Sequence, residues 1–354
     1  LLRAEVKHAN PHYDPSRRHH TPAGFRNNYS NPPPQDYRKW QRERKAAALP
    51  YEPPGGWRFP LDRPDIGYLA SNGHDITVTW IGHATVLLQI AGVNVLTDPH
   101  FSARASPVTF AGPQRRVAPG IALADLPRID VVLVSHNHYD HLDAASVREL
   151  ARQRGGPPRF YVPLGVRAFV ERRGIPMAAE MDWWDVAADG PLDVHFVPAQ
   201  HWSARTLRDR NRTLWGGFVV EANGFRFIYT GDTGYSKDFA DIGGRFGAFD
   251  LAVIPIGAYA PRWFMANHHV DPAEAVQIHR DLRAARSLAV HWGTFVLTDE
   301  PLDEPPRRLA EALDAAGVPR DEFWVFRHGE MRVLGSGRGK RARTRSRAER
   351  VVPP

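Results

Sequence analysis

The sequence contains no cysteine. That excludes disulfides, thiolate metal ligands and thiol nucleophiles together, so any metal must be held by histidine and carboxylate. The redox compartment stays open, because a thiol-free chain tolerates cytosol and periplasm alike. Long apolar runs are also missing, and nothing approaches the roughly 18 consecutive apolar residues of a membrane-spanning helix. No internal repeat is visible. No helix-turn-helix, zinc-finger or RNA-recognition pattern is present, so no specific nucleic-acid partner is expected. The chain opens Leu1-Leu2-Arg3 without methionine, which leaves open a mature or trimmed form. Whether it works at a membrane, in the cytoplasm or in a periplasm depends on residues upstream of Leu1.

What is present is a 354-residue chain that is 42% hydrophobic, ample for a sizeable core. The formal charge is +7, and much of the excess sits at the C-terminus. There Arg338, Lys340, Arg341, Arg343, Arg345, Arg347 and Arg350 face only Glu349. Residues 336–354 therefore read as a basic, solvated tail, with contact to an anionic membrane as the sharper alternative. Residues 1–74 form a Pro/Arg-rich extension, too polar to bury much by itself, that wraps a core. One helix is expected there, over Asp36–Leu49.

From Asp75 the pattern becomes that of a layered α/β domain over residues 75–335. Ile76–Trp80, Thr85–Ile90 and Val93–Leu96 read as strands, and Asp130–Val134 as a strand buried on both faces. Further strands are expected at Arg159–Val162, Asp193–Pro198, Gly217–Glu221, Phe225–Thr230, Leu251–Ile254 and Ser287–Val290. Helices fit Ala144–Arg154, Val166–Arg173, Pro272–Arg283 and Pro306–Ala316.

The buried strand before Ser135 runs into His136-Asn137-His138-Tyr139-Asp140-His141. Three imidazoles and a carboxylate packed so closely mark a metal site, because no structural need calls for that grouping. Without thiolate, the donors suit zinc and equally iron, manganese or nickel. Two metals need more ligands than this loop holds. Three other strand ends offer them: His201 after Pro198, Asp232 after Thr230 and His291 after Val290. Each sits where α/β sheets gather their functional loops.

A cluster of the form H-x-H-x-D-H followed by His, Asp and His resembles the metallo-β-lactamase superfamily. The blocks Trp80–Thr85, Leu96–Pro99, Ser135–Asp143, Gly231–Tyr235, Ile256–Tyr259, Pro261–Met265, His269–Pro272 and His291–Phe295 narrow it to one branch. They are similar to the N-acyl-phosphatidylethanolamine-hydrolysing phospholipase D group and its bacterial relatives, from about Thr77 to Leu334. The resemblance implies an αββα sandwich with a di-zinc centre. It gives His136, His138 and His201 to one metal, Asp140, His141 and His291 to the other, and Asp232 to both. It further implies attack by a hydroxide held between the metals, releasing the head-group alcohol from phosphatidic acid. One departure is His268-His269, where the mammalian-type enzyme has Gln-His.

Asp140 and His269 are then the candidate catalytic groups, His269 as proton donor or oxyanion contact. Asp98 and His83 are candidates to orient metal-bound groups. Tyr259, Trp263, Phe264 and His268 are expected to line a groove for an acylated substrate, with Trp202 and Trp292 beside them. Arg262 or Arg104 is expected to meet phosphate. A lactonase or ester hydrolase remains the alternative, since the same chemistry attacks carbonyl carbon. A membrane-associated regulatory protein with a vestigial site is a third reading, which the complete donor set disfavours. A phospholipid substrate is the expected partner, and the oligomeric state, a homodimer included, is open.

Overall fold

The computed structural model describes residues 10–29 and 36–336. In chain order they form a short hairpin, β1 (His20–Thr21) and β2 (Gly24–Phe25), and two helices, α1 (Tyr37–Ala46) and α2 (Ile66–Ser71). Strands β3 (Asp75–Gly82), β4 (Thr85–Ile90), β5 (Val93–Thr97) and β6 (Val131–Leu133) lead to helix α3 (Ala144–Ala151). Then come β7 (Arg159–Pro163), α4 (Arg167–Glu171), β8 (Ala178–Met181), β9 (Val186–Asp189), β10 (Leu192–Val197), β11 (Gly217–Ala222) and β12 (Phe225–Tyr229). The chain continues through α5 (Asp238–Phe246), β13 (Leu251–Pro255), α6 (Arg262–Met265), α7 (Pro272–Asp281) and β14 (Ser287–Val290). It ends in α8 (Glu304–Ala316), β15 (Phe323–Trp324) and β16 (Met331–Ser336).

Among the described residues the strands build two seven-stranded mixed sheets, ordered β16-β3-β4-β5-β6-β7-β8 and β15-β14-β13-β12-β11-β10-β9. Each begins as an antiparallel meander and turns parallel in its second half, at β5–β6 and at β12–β13. Parallel strands need crossovers, and helices supply them except between β5 and β6, which a long loop joins. Alternation along the first sheet sets the layers. Val86, Leu88, Val95, Val131 and Leu133 join a cluster with Phe196, Phe218 and Val220 of the second sheet. Their neighbours Leu87, Leu96, Val132 and Val134 pack instead with Val147 and Leu150 of α3 and Val170 of α4. Period-two side chains thus give each strand one face toward the other sheet and one toward helices. Each such aliphatic residue, withdrawn from water, contributes about 1.5–3 kcal/mol before entropy is set against it. The result is an αββα sandwich.

The helices differ in detail from the sequence reading. α8 begins at Glu304, with prolines in its first turn, where a missing N–H costs nothing. α7 carries a capping box between Asp271 and Glu274. The strand β16 runs through Ser336 and pairs with β3 as far as Ser336↔Asp75, so strand occupies the position where the tail was expected to start. The tail residues from 337 onward lie outside the described residues. None of the described helices is long and apolar enough to cross a membrane. Helix α1 is pinned to the sandwich by Trp40, which stacks on Phe264 with ring centroids 4.8 Å apart and donates to Asp299 Oδ2 at 2.8 Å.

Candidate metal centre

The loops that follow β6, β10, β12 and β14 meet at one edge of the sandwich. They carry the 136–141 cluster, His201, Asp232 and His291. Gly231 makes the turn before Asp232 with φ +63°, and a Cβ there would lie 2.7 Å from Gly216 O. Only glycine fits so close an approach.

His136, His138 and His201 form one group. His136 Nε2 lies 2.8 Å from His138 Nδ1, and His201 Nε2 lies 3.2 Å from the same atom. The second group holds Asp140, His141 and His291, joined by His83. His141 Nε2 is 3.2 Å from His291 Nε2 and 3.4 Å from Asp140 Oδ2. Asp232 Oδ2 lies between the groups, 3.0 Å from His141, 3.1 Å from His291 and 4.0 Å from His201. Two separated halves of the chain are thus brought together at seven side chains.

Hydrogen bonds behind these rings fix which nitrogen faces inward. Asp98 is fully buried and accepts from His141 Nδ1 at 2.6 Å. It also accepts from Ser135 Oγ and Tyr229 Oη, both at 2.5 Å, and from Ser135 N at 2.7 Å. With its own proton given to Asp98, Ser135 Oγ accepts from His136 Nδ1 at 2.9 Å. His201 Nδ1 donates to His268 O at 2.8 Å. The inward nitrogens of His136, His141 and His201 therefore carry lone pairs. In the first group, two lone pairs converge on His138 Nδ1, which has at most one proton to share. In the second, a neutral His141 would turn its lone pair toward two carboxylates. A cation in each group relieves both conflicts, so the donors fit metal.

The electrostatics agree. Burial, then the neighbouring imidazoles, hold His136 and His201 well below the ordinary range. Burial takes His138 down to about 3. Burial also opposes charge on His291, but Asp232 and Asp140 outweigh it and raise the ring to about 9. His141 is raised for the same reason, against the same penalty. One half of the centre offers neutral lone pairs and the other a demand for positive charge. Both are what divalent cations satisfy.

Asp98 stands behind His141, and His83 Nε2 lies 3.0 Å from Asp140 Oδ2. His269 Nδ1 is 3.8 Å from Asp232 Oδ2, and its ring stacks on His291 at 5.6 Å. His268 is buried beside His201 and Trp202, with both ring centroids 6.0 Å away. The other expected groove residues have different partners. Tyr259 Oη donates to Glu304 at 2.5 Å, Phe264 packs on Trp40, and Lys39 sits over the half-exposed ring of Trp263. Tyr259 faces α8, and the short helix α6 turns Trp263 and Phe264 toward α1. Arg262 is committed to Asp271, Glu274 and the His269 carbonyl, and Arg104 to the Thr109 and Gly112 carbonyls. Their hydrogen-bonding capacity is directed at the fold rather than at phosphate.

Two further contributors had no sequence signal. Tyr229 reaches Asp98 from the second sheet. Arg205 donates to the carbonyls of Asn137 and Leu142, both at 2.9 Å, and its guanidinium lies over the Tyr139 ring. It clamps both ends of the ligand loop. An arginine four positions after His201 fits no pattern that would single it out.

A family model for the Beta-lactamase superfamily domain matches residues 93–292. The chain belongs to the metallo-β-lactamase superfamily, a class of metal-dependent hydrolases. Within it the similarity is narrower. An N-acyl-phosphatidylethanolamine-hydrolyzing phospholipase D of Caenorhabditis elegans is 42% identical over 258 residues, covering 70% of this chain and 72% of that protein. An uncharacterized protein of Mycobacterium tuberculosis is 42% identical over 280 residues, covering 78% and 72%. Among solved structures, an isothiocyanate hydrolase from Delia radicum gut bacteria aligns with a TM-score of 0.58 at 20% identity. That alignment covers 74% of this chain and all of the other, and it bears on the fold.

Proposed function

We propose that this chain is a di-zinc phosphodiesterase of phospholipase D type, acting on N-acyl-phosphatidylethanolamine or a related phospholipid. The observation that carries the reading is the convergence of seven donors into two groups sharing Asp232, in a chain 42% identical to an enzyme named for that reaction. His136, His138 and His201 would hold one cation, Asp140, His141 and His291 the other, with Asp232 common to both. Bound there, two divalent cations supply Lewis-acid polarisation of a phosphoryl oxygen and lower the pKa of water toward neutrality.

The remaining work falls to the chain itself. Asp98 and Ser135 keep the ligand imidazoles in their inward-facing tautomers. His83 donates to Asp140 and holds that carboxylate in place. His269 sits beside Asp232, and an imidazole N–H there can donate to the oxygen of the departing alcohol. Substrate reaches the site from a lipid surface. Two loops near the ligand loop present bare apolar tips, Phe110, 82% exposed, and Leu207, fully exposed and followed by the exposed Arg208, whose charge suits anionic lipid.

Purified, zinc-replete protein is to be offered N-acyl-phosphatidylethanolamine, phosphatidylcholine, a chromogenic bis-aryl phosphodiester and an acyl lactone. Release of N-acylethanolamine together with phosphatidic acid is expected. Turnover of the lactone alone would replace the phosphodiesterase with a lactonase.

A further inference from the structure

Residues 10–29 reach the centre from outside the two sheets, and two fastenings hold this arm. At the first, His19 Nε2 lies 2.6 Å from Asp182 Oδ1 and His20 Nε2 lies 3.0 Å from Oδ2, all three residues being buried. The His19 ring stacks on Trp183 at 4.3 Å. Two histidines on one aspartate also suit a metal. Here, though, the Arg17 guanidinium stands 3.7 Å from Oδ2, and Trp183 N donates to Oδ1 at 2.7 Å. The carboxylate is already satisfied and its charge balanced, so the triad is a fastening. At the second, Phe25 N donates to Asn211 O at 2.8 Å. Gly24 runs so close to that carbonyl that a Cβ would lie 2.1 Å from its oxygen.

Beyond these fastenings, the arm places Asn27 against His201. Asn27 is buried, 7% exposed. Its Nδ2 donates to His201 O at 3.0 Å, and its Oδ1 accepts from His201 N at 3.1 Å. The same Oδ1 accepts from Trp215 Nε1 at 3.0 Å. One amide thus pairs with both the N–H and the C=O of a single residue, as a neighbouring strand would. His201 needs this, because the β10–β11 ladder has ended at Val197↔Gly217. The imidazole is oriented by His268 O, and the backbone that carries it is held by Asn27.

We infer that Asn27 is a positioning residue of the metal centre, and that the N-terminal arm is a brace setting how tightly the three-histidine group holds its cation. This rests on the reading of His201 as a metal ligand. Backbone placement of a ligand within about half an ångström decides whether its lone pair meets the cation. Partners behind metal ligands change affinity about 10–100-fold when removed.

The test uses the full chain as wild type, Asn27→Ala, Asn27→Asp, His201→Ala and Val170→Ala. Zinc affinity and stoichiometry are measured by competition with a chromogenic chelator, the absorption spectrum of the cobalt(II) form is recorded, and melting temperature is followed. His201→Ala is expected to lose one cation per chain. Asn27→Ala should keep the stoichiometry, bind about tenfold less tightly the cation that His201→Ala loses and alter the cobalt spectrum. Asn27→Asp retains both accepted bonds but not the donated one, so it should fall between, and it carries the comparison if the alanine variant does not accumulate. Val170→Ala opens a cavity between α4 and the first sheet and should lower the melting temperature with zinc affinity unchanged. Should both Asn27 variants melt lower yet match wild type in zinc affinity and cobalt spectrum, while His201→Ala loses metal, the brace is overturned and the centre stands. Should His201→Ala keep its full zinc, the centre and the brace fall together.

Discussion

Replacing Asp98 with asparagine changes one atom of a side chain that touches no solvent. All four of its partners are donors: Ser135 N on one oxygen, and Ser135 Oγ, Tyr229 Oη and His141 Nδ1 on the other. An amide has one accepting end. Turned one way, its NH2 opposes the Ser135 N–H. Turned the other, it opposes three donors at once. The less costly orientation still forfeits one charge-assisted bond and weakens three more, about 2–4 kcal/mol of stability. The backbone is not a confounder, since Asp98 has φ +29° and asparagine tolerates the left-handed side as well as aspartate does. The functional cost is larger than the structural one. Asp98 fixes His141 directly and His136 through Ser135, one ring in each metal group. Zinc affinity should therefore drop about 10–100-fold for both cations. Urea denaturation of the metal-free protein and chelator competition on the loaded protein separate the two effects. An Asp98→Asn chain with wild-type affinity for both zincs would show that the carboxylate does not set the tautomers.

Asp232→Asn should lose metal and hydrolysis together while circular dichroism reports an intact fold, and normal activity in that variant would remove the shared ligand. Glu221 lies on β11, where the His195 ring, 3.2 Å away, and then Arg226 outweigh burial and hold the carboxyl at about 2, against 4.5 when free. Its stabilising share is complete above about pH 4.5 and fades as pH falls toward 2. In acid titrations Glu221→Gln should flatten that limb, with a solvent-screened loss near neutrality of about 1 kcal/mol. Trp40→Ala should destabilise by about 3 kcal/mol in urea, because it removes a stacked indole and its bond to Asp299; no change would mean that α1 is a dispensable appendage. Phe110→Asp combined with Leu207→Asp should reduce co-sedimentation with anionic vesicles and slow turnover of vesicle lipid, yet spare hydrolysis of the soluble aryl phosphodiester.

The seven donors that the structure gathers were legible because each lies just past the end of a strongly patterned strand, and four of them fall within six consecutive positions. Asp98 and His83 could be suspected from the motifs around them. Asn27 could not, since 174 positions separate it from His201 and nothing distinguishes it from the chain's other asparagines. Tyr229, 131 positions from Asp98, is hidden within an ordinary β-run. Helix α5 escaped detection because Gly243-Gly244 reads as a breaker. Gly243 is there for packing, since a Cβ would lie 2.1 Å from Asp281 O at the crossing with α7. Strands β8 and β9 are short, alanine-bearing edge strands whose composition says little about strand. Trp263 and Phe264 stand near His269 in sequence, but that nearness does not fix the side of α6 on which a ring emerges, and both rings meet α1.

Three residues of the centre, His83, Asp98 and His291, adopt left-handed backbone with φ of +53°, +29° and +63°. Such conformations cost about 1–3 kcal/mol each where the residue is not glycine, and they persist only when neighbours over-determine them. Here they do. His291 N donates to His83 O at 2.9 Å, His83 N donates to Thr294 Oγ1 at 3.0 Å, and Asp98 N donates to Leu133 O at 2.9 Å. Two of the three strained residues are thus bonded to each other, and the third is tied to the end of the strand that delivers the ligand cluster. Distortion of this kind could not survive on free loops. The αββα core supports it, because the ends of β3, β5, β6 and β14 are held rigid by the buried faces beneath them. Burial between the sheets therefore makes the ligand geometry possible, and the same burial leaves the donors in need of cations.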